Sequence, residues 1–402
     1  MRPFTSTISL DEARRLLAEA VVPIARTERV ALADAASRVA ACDVASPVEV
    51  PPFSRSAMDG YAVVSTDTKG ASRSSPVSLK LVERIYTGTV PTQRISSGVC
   101  SEIATGAVLP EGADAVVMVE ETARDADDVV SVFAPAGGGQ NVSRHGSDID
   151  RNAVIVNRGQ VLTPARVGAL AAIGRTDIEV FARPRVAILS TGNEVVEPGQ
   201  PLARGQIYDV NRYTLAAIVR AHGGSPEPRA AVPDTLEALT AELDRAPDAD
   251  IMVFSGGSSV GERDLILDVV RARGEMIFHG IAVRPGKPTA FASIAGKPFF
   301  GMPGNPTSCL SNAYVLLVPF LRASARLPAF EPRTVQVPLG RAIASAAGRH
   351  QFYTVRIVDG RAFPAFKGSG AITSLSEADG YIEIPADRNA VAEGELVTVT
   401  LF

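Results

Sequence analysis

Apolar and polar positions change period several times along the chain, and each change predicts a change of element. Ser9 and Glu12 form a capping box ahead of Leu10, Leu16 and Leu17, so a helix begins there. After PVEVPPFS, residues 76–133 are rich in Val, Ile and Tyr, punctuated by Gly and Pro. Within them PVSLKLVERIY, DAVVMVEET and DVVSVFAP read as strands of a small β region. Thr163-Pro164 supplies an N-cap and a proline at the first helical position, for a helix that stops near Gly174. Chain order makes this helix the expected partner of the first one, with the β region inserted between two halves of a linker.

From about residue 183 to 322, strands and helices alternate. RVAILS, PEPRAAV, ADIMVFS, TAFASI and PFFGM read as strands. The helices are Arg212 to Ala221; LEALTAELDRA, capped by Asp234 and Glu237; DLILDVVRARG; and TSCLSNAYVLLVPFL, capped by Asn305-Pro306. This order predicts a right-handed, mostly parallel α/β sandwich, in which ligands sit at the carboxyl ends of the strands. Residues 331–402 return to strands (TVQVPL, FYTVRIV, GYIEIP, LVTVTLF), predicting a small C-terminal β-barrel.

A length of 402 residues exceeds one ordinary core, so about two to four domains are expected. The net charge of −4 leaves no basic stripe for nucleic acid. No apolar run reaches the roughly 18 residues that a membrane span needs, and the N-terminus lacks a signal-peptide core, so a cytoplasmic enzyme is expected. Cys42, Cys100 and Cys309 are too scattered for a disulfide framework or zinc site, and His145, His222, His279 and His350 show no zinc spacing.

The chemistry gathers in three loops that leave strands of the α/β region: STGNE (190–194), SGGSSVGERD (255–264) and GMPGNPTS (301–308). Each joins glycine, which permits close backbone approach, to hydroxyls that can donate to phosphate or carbonyl oxygens. Ser190, Thr191, Gly192, Gly256, Gly257, Ser258, Ser259, Pro303, Gly304, Asn305, Pro306 and Ser308 are the substrate-binding candidates they supply. Gly256 to Gly261 has the spacing of a nucleotide-binding loop, but Glu262-Arg263 replace its lysine, which disfavours an ATPase. Glu194 and Asp264 end two of the loops. Two carboxylates beside an anion site repel the ligand unless a cation lies between them, and Mg2+ is the economical choice. VRPGKP adds Arg284 and Lys287 as cations for an anionic ligand. PPFSRSAMDGYAV (51–63), ATGAVLPEGAD (104–114) and SRHGSDI (143–149) read by themselves as turns or solvated linkers.

Together with ILSTGNEV, GQIYDVNR and RPGKPTAF, these segments resemble the molybdopterin molybdenumtransferase (MoeA) family, which includes the gephyrin E domain, in order from about residue 9 to 380. The resemblance implies an α/β and β multidomain fold: a discontinuous helical linker domain (1–46 and 141–182), an inserted β domain (47–140), a three-layer molybdopterin-binding α/β domain (183–326) and a C-terminal β-barrel (327–402). It implies a homodimer with each active site between the α/β domain of one subunit and the inserted domain of the other. The implied reaction takes adenylyl-molybdopterin and molybdate with Mg2+, releases AMP and gives molybdenum cofactor. By motif, Asp59, Thr105, Asp148, Glu194, Asp234 and Asp264 would be catalytic, Glu194 and Asp264 would bind the metal, and Lys287, Ser308 and Ser369 would contact oxyanions. A molybdopterin adenylyltransferase and acceptor molybdoenzymes are the implied protein partners.

Several positions depart from the family pattern. Asn193 stands for aspartate, Thr354 for arginine, and Gly280 and Arg284 for lysines; Arg356, on the same strand face as Thr354, offers a replacement. The departures admit an inactive or tungstate-preferring paralogue acting as a molybdopterin-binding scaffold. Retention of Asp59, Glu194, Asp234 and Asp264 favours the enzyme, and the flanking regions argue against an adenylyltransferase.

Overall fold

The structure is a computed structural model that describes residues 7–256, 265–345 and 348–402. It divides into two compact units, Met1–Glu28 with Phe181–Phe402, and Arg29–Val180. Among the described residues no helix is long and apolar enough to cross a membrane.

The first unit holds a six-stranded sheet in the order Ser225–Pro228, Arg185–Ser190, Ile251–Ser255, Lys297–Met302, Ala290–Ile294, Gly274–His279. The first four strands run parallel, and the last two continue antiparallel. Ile251–Ser255 is buried at every position, as a parallel strand covered on both faces must be. One face packs against Leu215, Ile218 and Val219 of helix Asn211–Ala221 and against the final helices. The other packs against helices Leu236–Asp244 and Leu265–Arg273 through Leu239, Val269 and Val270. Helices on both faces make three layers, as expected.

Five local expectations change. The N-terminal helix, Leu10–Glu19, does form behind a Ser9 cap, but it does not pair with the second helix. Its Leu10, Ala13 and Leu17 join Val186 and Ile188 in the α/β core, whereas Leu170 of helix Pro164–Ala172 packs with Ala35, Val44 and Leu162. An apolar stripe shows that a helix is buried and not which sheet or helix buries it. Thr235, not Asp234, caps helix Leu236–Asp244: it holds the extended conformation that a cap requires, and its hydroxyl accepts from Ala238 N at 3.2 Å. The PEPRAAV strand ends at Pro228, and the strand Gly274–His279 follows helix Leu265–Arg273 directly, with no turn signal to mark it. The final helix is α over Pro306–Asn312, widens to π over Ala313–Leu317, and resumes at Val318–Ser324, where Pro319 has no N–H to donate.

The C-terminal strands form a sheet in the order Val283–Arg284, His350–Val358, Gly380–Ile384, Leu396–Leu401, Thr334–Pro338, and Arg361–Pro364 pairs with His350–Val358. Leu339 bridges Ala362, so two margins of this sheet meet at one point. The second unit contains a six-stranded sheet ordered Ala115–Met118, Gly60–Val63, Val99–Ile103, Val77–Ile85, Val129–Val132, Thr122–Arg124. Gly60–Val63, which reads as part of a turn, is an interior strand buried at all positions. The remainder of this unit is the helix Pro164–Ala172, three short 3-10 turns and short two-stranded ladders.

Candidate functional site

The three loops begin level with one another because register fixes them. Ser190 pairs with Ser255, and Ser255 with Met302, so parallel neighbours deliver all three loops to one edge. Thr191 N donates to Ser255 O at 2.9 Å, and Gly256 N to Met302 O at 3.3 Å. Gly256 sits at φ +102°, and a Cβ there would lie 2.3 Å from Thr191 O, so only glycine fits between the loops. A Cβ on Gly304 would in turn lie 3.5 Å from the Gly256 Cα, which places the third loop against the second.

A segment outside the loops ties them together. Asp209 Oδ1 accepts from Ser190 Oγ at 2.9 Å and from Arg212 N at 3.1 Å. Asn211 Nδ2 donates to Ser255 Oγ at 2.6 Å and to Gly304 O at 2.7 Å. Arg212 Nη1 donates to Arg229 O at 2.9 Å, and its Nη2 pairs with Glu197. The hydroxyl of Tyr213 and this guanidinium hold the Glu197 carboxyl below its ordinary range. None of Asp209, Asn211 and Arg212 stands out in the sequence as a site residue. Polar and charged side chains at the start of a helix usually face solvent, and only their burial, at 4–8% exposure, shows otherwise.

A cavity of about 1310 Å³ opens over this edge, larger than the roughly 300–1,000 Å³ of an ordinary small-molecule pocket. From the first loop, Ser190, Thr191 and Glu194 line it; Gly192 does not, but its backbone lies under Glu194, where a Cβ would be 2.9 Å from both carboxylate oxygens. Gly256 lines it from the second loop, while Gly257, Ser258, Ser259 and Asp264 lie outside the described residues. Pro303, Gly304, Asn305, Pro306 and Ser308 line it from the third. Asp234, Arg284, Lys287 and Ser369 complete the predicted set, and Asn305 Nδ2 donates to Ser369 Oγ at 3.2 Å. Arg349, Tyr208 and Phe366 also line the cavity and were not anticipated. Strand Val283–Arg284 pairs in parallel with His350–Val358, which carries Arg349 to the same wall region as Arg284. Arg356, offered above as a replacement for arginine at 354, is exposed and lines no part of the cavity. Thr354 is buried, its hydroxyl without a hydrogen-bond partner. Asn193 Oδ1 accepts from Asp234 N at 3.4 Å, a contact an ionised aspartate could also make.

The donor set at this edge suits a hard cation. Among the described residues no three His, Cys, Asp or Glu side chains group closely enough to hold a metal by themselves. Mg2+ needs no such cage, because it binds through one or two carboxylates and completes its shell with water and substrate phosphate. Glu194 and Asp234 line the cavity, and Asp234 Oδ1 and Thr191 Oγ1 are buried without hydrogen-bond partners. Oxygens left unpaired there fit a ligand that brings positive charge or donors.

The remaining candidates belong to the Arg29–Val180 unit. Asp59 and Thr105 meet on exposed turns: Asp59 Oδ1 accepts from Thr105 N at 2.7 Å and from Thr105 Oγ1 at 2.9 Å. These donors, the backbone N–H foremost, hold the Asp59 carboxyl below its ordinary value. Asp148 is exposed, and its N–H donates to Val50 O at 2.9 Å.

Fold and edge together define a multidomain α/β protein with a polar ligand cavity at the ends of parallel strands. Three family models cover the chain: the MoeA N-terminal region (domain I and II) at residues 8–174, a probable molybdopterin binding domain at 187–323, and the MoeA C-terminal region (domain IV) at 336–402. Molybdopterin molybdenumtransferase 2 of Mycobacterium tuberculosis is 35% identical over 97% of this chain and 98% of its own. The molybdopterin molybdenumtransferase of Haemophilus influenzae is 32% identical over 98% of each. The crystal structure of a molybdopterin biosynthesis MoeA protein from Pyrococcus horikosii superposes with a TM-score of 0.82 at 38% identity, covering 98% of this chain and 99% of that one. The chain belongs to the MoeA family of molybdenum cofactor biosynthesis.

Proposed function

We propose that the chain is a molybdopterin molybdenumtransferase that converts adenylyl-molybdopterin and molybdate into molybdenum cofactor and AMP. The observation that carries this reading is the cavity at the three-loop edge, where hydroxyls, backbone amides, carboxylates and the cations of Arg284 and Lys287 converge. Water attacks the phosphoanhydride and AMP leaves; the two dithiolene thiols bind the molybdenum of molybdate, and their protons leave with one of its oxygens as water. Mg2+, when bound, screens the phosphoanhydride charge. In this reading Glu194 and Asp234 hold the cation and its bound water, with Asp264 completing the set. Thr191 and Ser308 offer hydroxyl donors to phosphate oxygens, Ser190 and Gly256 shape the floor beneath them, and Lys287, Arg284 and Ser369 hold the oxyanion. Asp59, Thr105 and Asp148 act from the second subunit of a homodimer. A molybdopterin adenylyltransferase hands over the substrate and molybdoenzymes accept the product.

The test is direct. Purified protein, adenylyl-molybdopterin, Mg2+ and molybdate should yield AMP and activate a cofactor-free molybdoenzyme. Pterin binding without AMP release would overturn the enzyme and leave a scaffold. Faster turnover with tungstate in place of molybdate would correct the metal. Asp264→Ala should reduce AMP release more than pterin binding, and equal losses would make its role structural.

A further inference from the structure

Asn211 occupies an unusual place in the network. It is 8% exposed, lies at the start of helix Asn211–Ala221, and reaches across to two different loops through one amide nitrogen. The orientation of that amide is not ambiguous. Gly304 O carries only lone pairs, so the group 2.7 Å from it must be the donor Nδ2. Its Oδ1 is then left buried with no hydrogen-bond partner. A buried unpaired carbonyl oxygen is costly, and the reverse rotamer would put two acceptors face to face at Gly304. The arrangement therefore favours the tie between loops over full satisfaction of the amide. The third loop is also held on its far side, where Thr307 N donates to Ser369 O at 3.0 Å and Thr307 Oγ1 to Ala371 O at 2.7 Å. Those bonds begin beyond Gly304. Among the described residues, Asn211 supplies the one side-chain bond that Gly304 O receives.

We propose that Asn211 is a positioning residue that locks the second and third loops in register, so that Ser255, Gly256 and Gly304 present a fixed surface to the reacting phosphate. The inference rests on the function proposed above, but its structural half stands apart from it. A large ligand spreads its ground-state binding over the whole cavity, whereas the reacting bond depends on a few ångströms of loop. Loss of the lock should therefore act on turnover more than on binding, since a misplacement of about 1 Å can cost about 100-fold in rate.

Asn211→Asp keeps the shape and removes the donor. Ser255 can turn its hydroxyl toward the new carboxylate, but Gly304 O cannot. Ser255→Ala removes the other arm alone. For Asn211→Asp we expect kcat for AMP release to fall about 100-fold while KM for adenylyl-molybdopterin changes less than about threefold. Ser255→Ala should lose less than about tenfold, and the double variant should fall within about twofold of Asn211→Asp because both act through one tie. Hydrogen exchange should accelerate in residues 301–305 of Asn211→Asp and not of Ser255→Ala. Asn211→Ser, which introduces no charge, should show the same kcat–KM split and replaces Asn211→Asp if that variant does not fold. Unchanged exchange at 301–305, or kcat and KM lost in step with melting temperature, would overturn the proposal. If the wild-type protein releases no AMP, the function proposed above fails, and the exchange comparison alone decides the lock.

Discussion

Asp59 is exposed and pairs with no cation among the described residues, yet its carboxyl is held below its ordinary value by the N–H and hydroxyl of Thr105. Unfolded, Asp59 protonates at its ordinary pKa; folded, it stays ionised to lower pH. Its contribution to stability is thus complete above the unfolded pKa and fades as the pH falls through the folded one. Thr105→Val removes the hydroxyl donor and keeps the backbone one. The Asp59 pKa, followed by carboxyl carbon NMR, should rise in that variant without reaching the ordinary value, and the acid limb of AMP release should move to higher pH with it. An unmoved titration would mean that Thr105 does not set the charge of Asp59. Sequence could not have paired these residues by pattern, because 46 positions separate them and both read as turns; the family resemblance alone named them. The same gap hid Asn211, whose importance lies in reaching Ser255 and Gly304 from another element.

At the scale of elements, periodicity and turn residues were enough where one rule acted alone. Buried strands such as RVAILS and IMVFS were legible because short apolar runs of strand length, bounded by turn residues, fit a strand covered on both faces, and their parallel order followed from alternation with helices. Errors arose where two local rules competed. At the start of helix Leu236–Asp244, Asp234 and Thr235 are both good caps, and sequence does not say which takes the extended backbone. The structure gives that place to Thr235, which frees the Asp234 side chain for the cavity. Thr235→Ala should therefore cost about 1 kcal/mol, or about 2–4 °C in the melting of the α/β unit, by calorimetry. Asp234→Asn should leave that transition nearly unmoved while suppressing AMP release. A larger melting shift for Asp234→Asn than for Thr235→Ala would return the cap to Asp234. The unexpected packing of the N-terminal helix has a similar origin: Leu10, Leu16 and Leu17 signal a helix, and Leu10, Ala13 and Leu17 are the residues it buries, but an apolar spacing carries no address.

For the whole molecule, the described cavity draws its lining only from the Met1–Glu28 and Phe181–Phe402 unit, while Asp59, Thr105 and Asp148 belong to Arg29–Val180. The proposed homodimer gives this division a functional meaning: one copy supplies the cavity and the other supplies the second set. That arrangement makes a strong prediction, because two chains disabled in different units can repair one another. Asp59→Asn and Glu194→Gln homodimers should each release little AMP. Unfolded together and refolded as a mixture, half of the dimers should be mixed, and each mixed dimer would hold one site with both residues intact. Recovered activity should approach roughly a quarter of wild type, and it should require exchange of subunits and not simple mixing of folded dimers. Light scattering should report a dimer throughout. Recovery near zero in a mixture shown by mass spectrometry to contain mixed dimers would place both residues in one subunit's site, and a monomer by scattering would remove the shared site altogether.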